Sequence, residues 1–227
     1  MYKICVPSTG VKDWQSLLAD PVKHWKIGYS ARAMAYCWED AKGFPAEITE
    51  LFISCDAPNF QQIEPLLTIP EHKVSLPGGA TESQNDAFVL ARTPNGLVSI
   101  TVEGKVSEPF GPALEEWYEN PSRGKKTRLG YLLKNLGLTD VPSSDIRYQL
   151  LHRTASAVIE ARQYHAKIAV MIVHSFSQTN EWFEDYASFV NLYGKNAGVG
   201  ELVKATTIDD ISLYLGWAKG DACYLQL

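Results

Sequence analysis

The sequence predicts a mixed α/β fold, in which helices flank a central β-sheet. Apolar residues recur at helical spacing over residues 11–53, two β-branched runs flank a turn within residues 83–105, and an unbroken apolar run covers residues 168–173. The 227-residue chain is 45% hydrophobic and 21% charged, as in globular proteins that bury a sizeable core. We therefore expect one α/β domain over residues 1–227.

Helices are expected first along the chain. Ser30 can cap a helix that Gly43 ends, and Pro45 suits the first turn of the next helix. A further short helix is predicted over residues 60–67. The first strand is predicted over residues 72–76, before a Pro-Gly-Gly turn.

A β-hairpin follows, and it carries the most informative residues of the chain. The tetrad Thr93-Pro94-Asn95-Gly96 is a turn signal between two apolar runs. If a four-residue loop closes the hairpin, Arg92 faces Leu97, and the same count places Asp86 opposite Glu103. Directly opposed residues share one face of a sheet, with Cβ atoms about 5 Å apart.

The opposed carboxylates of Asp86 and Glu103 indicate a cation site. Like charges at that spacing are unfavourable unless a cation lies between them. Lys105 lies on the same face as Glu103, because side chains alternate along a strand. Two carboxylates and an ammonium group suit divalent-metal hydrolysis. The alternative is the solvated polar face of a strand, and a register slip of one residue would turn Asp86 to the other face.

The chain after the hairpin contains a basic segment and a long helix. Residues 122–128 read Ser-Arg-Gly-Lys-Lys-Thr-Arg, which is either a solvated loop or a phosphate-binding segment. A short helix over residues 129–136 and a longer one over residues 146–164 are predicted next. Gln149 and Arg153 are four residues apart in the longer helix, so they share one of its faces.

The last third of the chain should complete the sheet. The apolar run at residues 168–173 predicts a central strand that is buried on both faces. A helix over residues 182–193 and a second hairpin, from residues 211–217 and 223–225, follow. His174 with Ser175 or Ser177 offers nucleophilic hydrolysis as another reading, although no Gly-x-Ser-x-Gly elbow surrounds these serines.

Composition argues against several classes of protein. A formal net charge of −5 is unfavourable for gripping long nucleic acid, although it is compatible with a local basic patch. No apolar run approaches the ~20 residues that cross a membrane, and the N-terminus lacks the segments of a signal peptide, so a cytoplasmic location is expected. Disulfides and structural zinc are not expected, because no zinc-type spacing links the four cysteines, Cys5, Cys37, Cys55 and Cys223.

The order of elements and the trio Asp86, Glu103 and Lys105 resemble the PD-(D/E)XK superfamily of restriction-endonuclease-like nucleases. The core of that superfamily runs helix, three strands, helix, strand (α-β-β-β-α-β). The match covers about residues 45–175, which leaves N-terminal helices and the C-terminal hairpin outside the core. The resemblance identifies Asp86 with the superfamily's aspartate and Glu103-x-Lys105 with its Glu-x-Lys.

The resemblance extends to neighbouring positions. Glu108 stands where many members carry a further glutamate, and Gln149, or Arg153, where many carry a glutamine or arginine. Asn85 replaces the proline that often precedes the aspartate. The chain also resembles an uncharacterised bacterial family with stretches such as His24-Trp25-Lys26-Ile27-Gly28-Tyr29-Ser30-Ala31 and Arg147-Tyr148-Gln149-Leu150-Leu151-His152-Arg153.

This resemblance implies a metal-dependent nuclease that hydrolyses phosphodiester bonds of nucleic acid. Asp86 and Glu103, with the backbone carbonyl of Gly104, would hold Mg²⁺ or Mn²⁺. Lys105 would orient or deprotonate the attacking water, and Gln149 would position the water or the phosphate. The residues expected to bind the substrate backbone are Arg123, Lys125, Lys126 and Arg153.

A second reading keeps the fold without the chemistry. Several branches of the superfamily have lost catalysis, and a fold alone does not give a function. In a catalytically inactive binding or assembly protein, Glu103 would pair with Lys105 or Arg153 and no metal would bind.

Overall fold

In the described part of the chain, the strands form one six-stranded sheet with helices on both faces. The computed structural model describes residues 7–55, 57 and 60–227. The helices are α1 (Val11–Leu17), α2 (Pro21–His24), α3 (Ser30–Ala41), α4 (Ala46–Ser54), α5 (Leu114–Trp117), α6 (Arg123–Leu136), α7 (Tyr148–Gln163) and α8 (Phe183–Asn191). The strands are β1 (Glu64–Val74), β2 (Ser83–Thr93), β3 (Gly96–Lys105), β4 (Ile168–Ser175), β5 (Leu202–Ile208) and β6 (Ile211–Lys219), and a 3₁₀ turn over Ala222–Gln226 ends the chain.

The sheet mixes parallel and antiparallel pairs, in the order β1-β2-β3-β4-β6-β5. Strands β1 to β3 form an antiparallel meander, β4 and β6 run parallel to β3, and β5 pairs antiparallel with β6. All eight residues of β4 are buried, as the unbroken apolar run predicted. The expectation of a mixed α/β sheet flanked by helices is confirmed.

Two apolar layers sandwich the sheet. Helices α6, α7 and α8 pack on one face, and α1, α3 and α4 pack on the other. Alternate residues of β2, such as Ala87 and Val89, point into the α3 layer, so the residues between them point towards α7. The candidate site lies where the polar ends of β2 and β3 meet: Glu103 faces α7, and the Asp86 carboxylate lies beside Gly104, near Met34 of the α3 layer.

Two helices were predicted close to where they lie. Helix α3 begins at Ser30, with Tyr29 rather than Ser30 as the capping residue, and α4 follows Pro45 as expected. The short helix expected over residues 60–67 is wrong, because β1 already begins at Glu64. Pro65 and Pro70 within β1 are tolerated because this strand lies at the edge of the sheet.

The second hairpin was placed wrongly. Strand β6 pairs with β5, and the turn between them lies at Asp209 and Asp210. The segment expected to pair with β6 is instead the 3₁₀ turn Ala222–Gln226. An irregularity between Lys204 and Thr206 breaks the alternation of β5, which explains why the strand was not recognised.

The basic segment is helical rather than a loop. Ser122 caps α6 by accepting a hydrogen bond from the Lys125 backbone N–H, so residues 123–128 form the first turns of the helix. Arg128 points inwards and donates to the backbone carbonyls of Leu76, Pro77 and Gly79. One of the segment's cations therefore fixes the β1–β2 connection.

Candidate functional site

The hairpin has the register that its turn predicted. Arg92 pairs with Leu97, and the ladder continues to Ala87 opposite Val102. The regular pairing ends there, and the next opposed positions are Asp86 and Glu103. The two strands therefore separate at the point where the carboxylates stand.

Asp86 fills the gap between the separating strands. Its Oδ2 atom accepts the backbone N–H of Gly104 at 2.7 Å. The Lys105 carbonyl accepts from Phe176 beyond β4, so backbone alternation directs both the N–H and the carbonyl of Gly104 towards β2. A Cβ atom at position 104 would lie 3.3 Å from Asp86 Oδ2 and 3.0 Å from Met34 Sδ. Glycine thus makes room for the carboxylate.

Glu103 is the centre of a buried ion-pair network. Its Oε1 atom accepts from Lys105 Nζ at 2.8 Å and from Gln149 Nε2 at 2.7 Å, and its Oε2 atom accepts from Arg153 Nε at 2.5 Å. Lys105 also donates to Gln149 Oε1 at 3.3 Å and lies 4.9 Å from the centre of the Phe110 ring. Glu103 is 2% exposed and Lys105 is 3% exposed. The structure therefore brings four of the predicted site residues together.

Helix α7 is fixed on β3 by hydroxyl groups of the strand. Thr101 Oγ1 donates to the Arg153 carbonyl at 3.1 Å, and Ser99 Oγ donates to the Ala157 carbonyl at 2.8 Å. These bonds satisfy polar groups in the buried interface and set the height of the helix along the strand. They explain why Gln149 and Arg153, one turn apart, both reach Glu103.

Sequence reasoning missed Glu71. Strand β1 pairs Pro70 with Ala87 and His72 with Asn85, so Glu71 stands opposite Asp86. Asp86 is therefore flanked by Glu103 on β3 and by a third carboxylate on β1. The signal was available in the sequence, but it required β1 to be recognised as one long strand that includes position 71.

The backbone at Glu71 is unusual for a strand. Its φ of 51° lies in the left-handed region, although the residues on either side keep their pairing with β2. Gln84 Nε2 donates to Glu71 Oε2 at 2.6 Å. The left-handed backbone therefore changes the direction of the Glu71 side chain, while β1 keeps its register with β2.

The three carboxylates differ strongly in acidity. Burial, followed by the charges of Glu103 and Glu71, raises the pKa of Asp86 well above its ordinary value. Burial raises the pKa of Glu71 to about 7. Burial opposes ionisation of Glu103 too, yet Arg153 and Lys105 outweigh it and lower the pKa of Glu103 to about 2. The two cations thus stabilise the charge of Glu103 and leave the other two carboxylates undercompensated.

Three of the four predicted substrate-binding cations lie apart from this network. Arg123, Lys125 and Lys126 belong to the first turn of α6, and in the described part of the chain none of their side chains bonds to Glu103. Lys125 Nζ lies 5.6 Å from the centre of the Trp117 ring, which stacks on Tyr148 at 3.8 Å, at the start of α7. An aromatic contact therefore links the basic turn to the helix that carries Gln149.

Glu108 closes the turn after β3 and does not join the network. Its Oε2 atom accepts the backbone N–H groups of Val106 and Ser107 at 3.2 and 3.0 Å. Ser30, the first residue of α3, donates its hydroxyl to the other oxygen. Glu108 thus ties the end of β3 to α3, on the opposite face of the sheet from Glu103.

A second group of metal-ligand types lies between α3, α4 and β4. Single ligand atoms of Cys37, Glu47 and His174 lie within 4.8 Å of one another. The Trp38 indole N–H donates to His174 Nδ1 at 3.2 Å, so Nε2 carries the ring proton and donates to Glu47 at 2.6 Å. A metal on Nε2 would move that proton to Nδ1, against the indole N–H. This group is a hydrogen-bond network rather than a metal site.

The same network bears on the reading of His174 as a catalytic base. Both of its ring nitrogens are engaged, by Trp38 and Glu47, and its side chain is fully buried. Ser175 Oγ accepts from the Ser177 backbone N–H, and Ser177 Oγ bonds to Thr179. Neither serine is activated by this histidine, so the nucleophilic reading has no geometric support.

Comparison with known proteins places the chain in a family. Residues 7–222 match the family described as "Domain of unknown function (DUF6946)". The chain belongs to this family. No curated protein and no solved structure gives a significant match. Among the described helices of this family member, none combines the length and apolar content that a membrane crossing needs.

Proposed function

We propose that the protein is a metal-dependent phosphodiesterase that acts on nucleic acid, with a restriction-endonuclease-like core. One observation carries the proposal: among the described residues, the carboxylates of Glu71, Asp86 and Glu103 stand in a row across three strands, with the cations of Lys105 and Arg153 beside them. Both cations bond to Glu103. Asp86 makes no ion pair within the described residues and accepts only the Gly104 N–H. A half-buried carboxylate in that position favours a bound cation.

The donor set suits a hard divalent cation. Carboxylate oxygens and a backbone carbonyl are the ligands that Mg²⁺ and Mn²⁺ prefer. Asp86 and Glu103 would hold the ion, and the Gly104 carbonyl is directed to the same gap between β2 and β3. When bound, the ion would activate water and neutralise charge on the phosphate.

The remaining residues suit transition-state stabilisation. Lys105 and Gln149 contact each other and the same Glu103 oxygen, so Glu103 fixes the position of both. Lys105 would stabilise charge developing on the phosphate, and Gln149 would orient the attacking water. Arg153 pairs with Glu103 Oε2 and would hold this carboxylate ionised.

The order of elements also supports the proposal. Helix α4, strands β1 to β3, helix α7 and strand β4 occur in this order along the chain, with the two further helices α5 and α6 between β3 and α7. Asp86 stands near the start of β2, and Glu103 and Lys105 stand at the end of β3. These are the positions that the resemblance to the PD-(D/E)XK superfamily implies.

A second candidate is a catalytically inactive binding or assembly protein with the same core. The burial of Lys105, at 3% exposure, and the complete pairing of Glu103 favour it. In this reading the network stabilises the contact between β3 and α7. No substrate would then need to reach Lys105.

Cleavage assays separate the two candidates. The wild type, Asp86→Asn and Lys105→Met are incubated with Mg²⁺ or Mn²⁺ and a panel of single- and double-stranded DNA and RNA. Phosphodiesterase activity predicts cleavage by the wild type and at least a ~100-fold loss in both variants. Lys134→Met is the matched control, because it removes an exposed lysine from the last turn of α6, which has no assigned role at the site, and should cleave like the wild type.

The outcome decides between the candidates. Circular dichroism and thermal unfolding first establish that each variant is folded. A wild type that cuts nothing, or a folded Lys105→Met that cuts as fast as the wild type, rules out the phosphodiesterase. Binding of an oligonucleotide without cleavage supports the inactive binding protein.

A further inference from the structure

Glu71, Asp86 and Glu103 form a row across three strands. Pro70 opposite Ala87 and His72 opposite Asn85 fix the first step of the row, and the β2–β3 register fixes the second. Neighbouring strands lie about 4.8 Å apart. Asp86 is therefore central, with one carboxylate on either side.

The two outer carboxylates are not equivalent. Three donors, from Lys105, Gln149 and Arg153, occupy both oxygens of Glu103. Within the part of the chain that the structure describes, Glu71 accepts a hydrogen bond from Gln84 on its Oε2 atom and none from an ammonium or guanidinium group. The carboxylate oxygens that a cation can reach without displacing an ammonium or guanidinium group therefore lie on the Glu71 side of Asp86.

A cleft reaches Glu71 from outside. It has a volume of about 1020 Å³ and lies between β1 and the helices α1 and α3. Its charged lining residues include Glu39, Glu71 and Glu82 against Lys73. An acidic cleft admits a hydrated cation more readily than an anion. Glu103 and Lys105, by contrast, are buried and do not line this cleft.

We propose that Glu71, on β1, is a ligand of the divalent metal centre. Its carboxylate would bind the same ion as the carboxylate of Asp86 on β2. The inference rests on the proposed function, because it assumes the same oxygen-liganded cation. The left-handed backbone at Glu71 fits this role, since strained residues persist where their side chains must take a particular direction. Gln84 would hold Oε2 of Glu71 and leave Oε1 for the metal.

Mn²⁺ binding to the full chain tests the inference without any assay of activity. Dissociation constants are measured by calorimetry, with free Mn²⁺ counted by electron paramagnetic resonance, for the wild type, Glu71→Gln and Glu82→Gln. Glu82 lines the same cleft and accepts from Ser75 at 2.7 Å, so its substitution makes the same change of charge away from Asp86. We expect Glu71→Gln to weaken Mn²⁺ binding by about 10-fold or more, and Glu82→Gln by less than about twofold.

The results separate this inference from the proposed function. If Glu71→Gln binds Mn²⁺ as tightly as Glu82→Gln, the inference is overturned, even if the wild type cuts nucleic acid. If Glu71→Gln alone loses affinity while the wild type cuts nothing, Glu71 is a ligand and the phosphodiesterase fails. A wild type that binds no Mn²⁺ at millimolar concentration overturns both. Thermal unfolding without metal shows whether Glu71→Gln is folded.

Discussion

The backbone N–H of Gly104 donates to the Asp86 carboxylate at 2.7 Å, across the gap where β2 and β3 separate. This contact needs glycine, because a Cβ atom at position 104 would come within 3.0 Å of Met34 Sδ and 3.3 Å of Asp86 Oδ2. The Asp86 carboxylate, which would hold the proposed metal, can therefore take this position because residue 104 has no side chain.

Gly104→Ala should therefore disturb both stability and metal binding. We expect a loss of about 1–3 kcal/mol in the free energy of unfolding, since the added methyl group overpacks a buried contact. Mn²⁺ affinity should fall as well, because the Asp86 carboxylate must move. Urea denaturation and calorimetry measure the two effects. Gly130→Ala is the control, because its Cβ meets nothing within 4 Å and alanine favours a helix. Equal behaviour of the two variants would contradict the role of Gly104.

Removing Arg153 should be far more costly than removing a surface cation. Arg153→Met leaves a buried carboxylate, Glu103, without its partner on Oε2, and we expect a loss of about 3–5 kcal/mol in urea denaturation. Arg92→Met is the matched control. It breaks an exposed pair with Glu64 and should cost less than about 1 kcal/mol. The double variant Arg153→Met, Glu103→Gln should be more stable than the sum of the two single losses predicts, because no unpaired buried charge remains. If the two losses in free energy of unfolding simply add, Arg153 and Glu103 are not coupled.

The metal-free protein should lose stability as the pH rises from about 4.5 to about 7. Burial raises the pKa of Glu71 from 4.5 to about 7. In this window folded Glu71 holds a proton that the unfolded chain has released, so stability is highest at the acidic end. The slope contributed by one proton is about 1.4 kcal/mol per pH unit. Asp86, whose pKa burial also raises, contributes in the same direction.

The difference between the wild type and Glu71→Gln isolates this effect. His152 works in the opposite direction, since burial lowers its pKa below 6.5 and its contribution to stability is lost as the pH falls through that value. Subtracting the two urea-denaturation profiles, measured without metal, removes the His152 contribution. A difference that stays flat between pH 4.5 and 7 would show that Glu71 titrates normally.

The fold could be predicted where a pattern is local. The turn tetrad fixed the β2–β3 register, and a run of apolar residues identified β4. Strand β1 was truncated because Pro65 and Pro70 argue against a strand unless its edge position is known, and that position is set by the whole sheet. β5 was missed because its alternation is interrupted.

The site could be predicted to the extent that it lies on the hairpin and on one helix face. Helical spacing was enough to place Gln149 and Arg153 together, and the structure joins both to Glu103. Glu71 was missed because its partner, Asp86, is identified only by the β1–β2 pairing. Glu103 pairs with three donors at once because of the way α7 packs on β3. That packing cannot be predicted from a local sequence pattern.

The Cys37, Glu47 and His174 group should not bind a soft or borderline metal. His174 Nε2 carries a proton, and burial raises the pKa of the Cys37 thiol, so both atoms would have to lose a proton before they could bind a metal. Addition of Co²⁺ should therefore give no thiolate-to-metal absorption band. A band that Cys37→Ala abolishes would contradict the hydrogen-bond assignment made from Trp38.

The hairpin between the two carboxylates has arms of equal length. From the Thr93–Gly96 pair, β2 counts 93 − 86 = 7 residues back to Asp86, and β3 counts 103 − 96 = 7 residues on to Glu103. The turn can therefore be exchanged or lengthened without moving the carboxylates relative to each other. One extra residue in a single arm would instead turn one carboxylate to the opposite face. Over evolution, insertions at this tip should be neutral, whereas insertions within either strand should be lost together with the site.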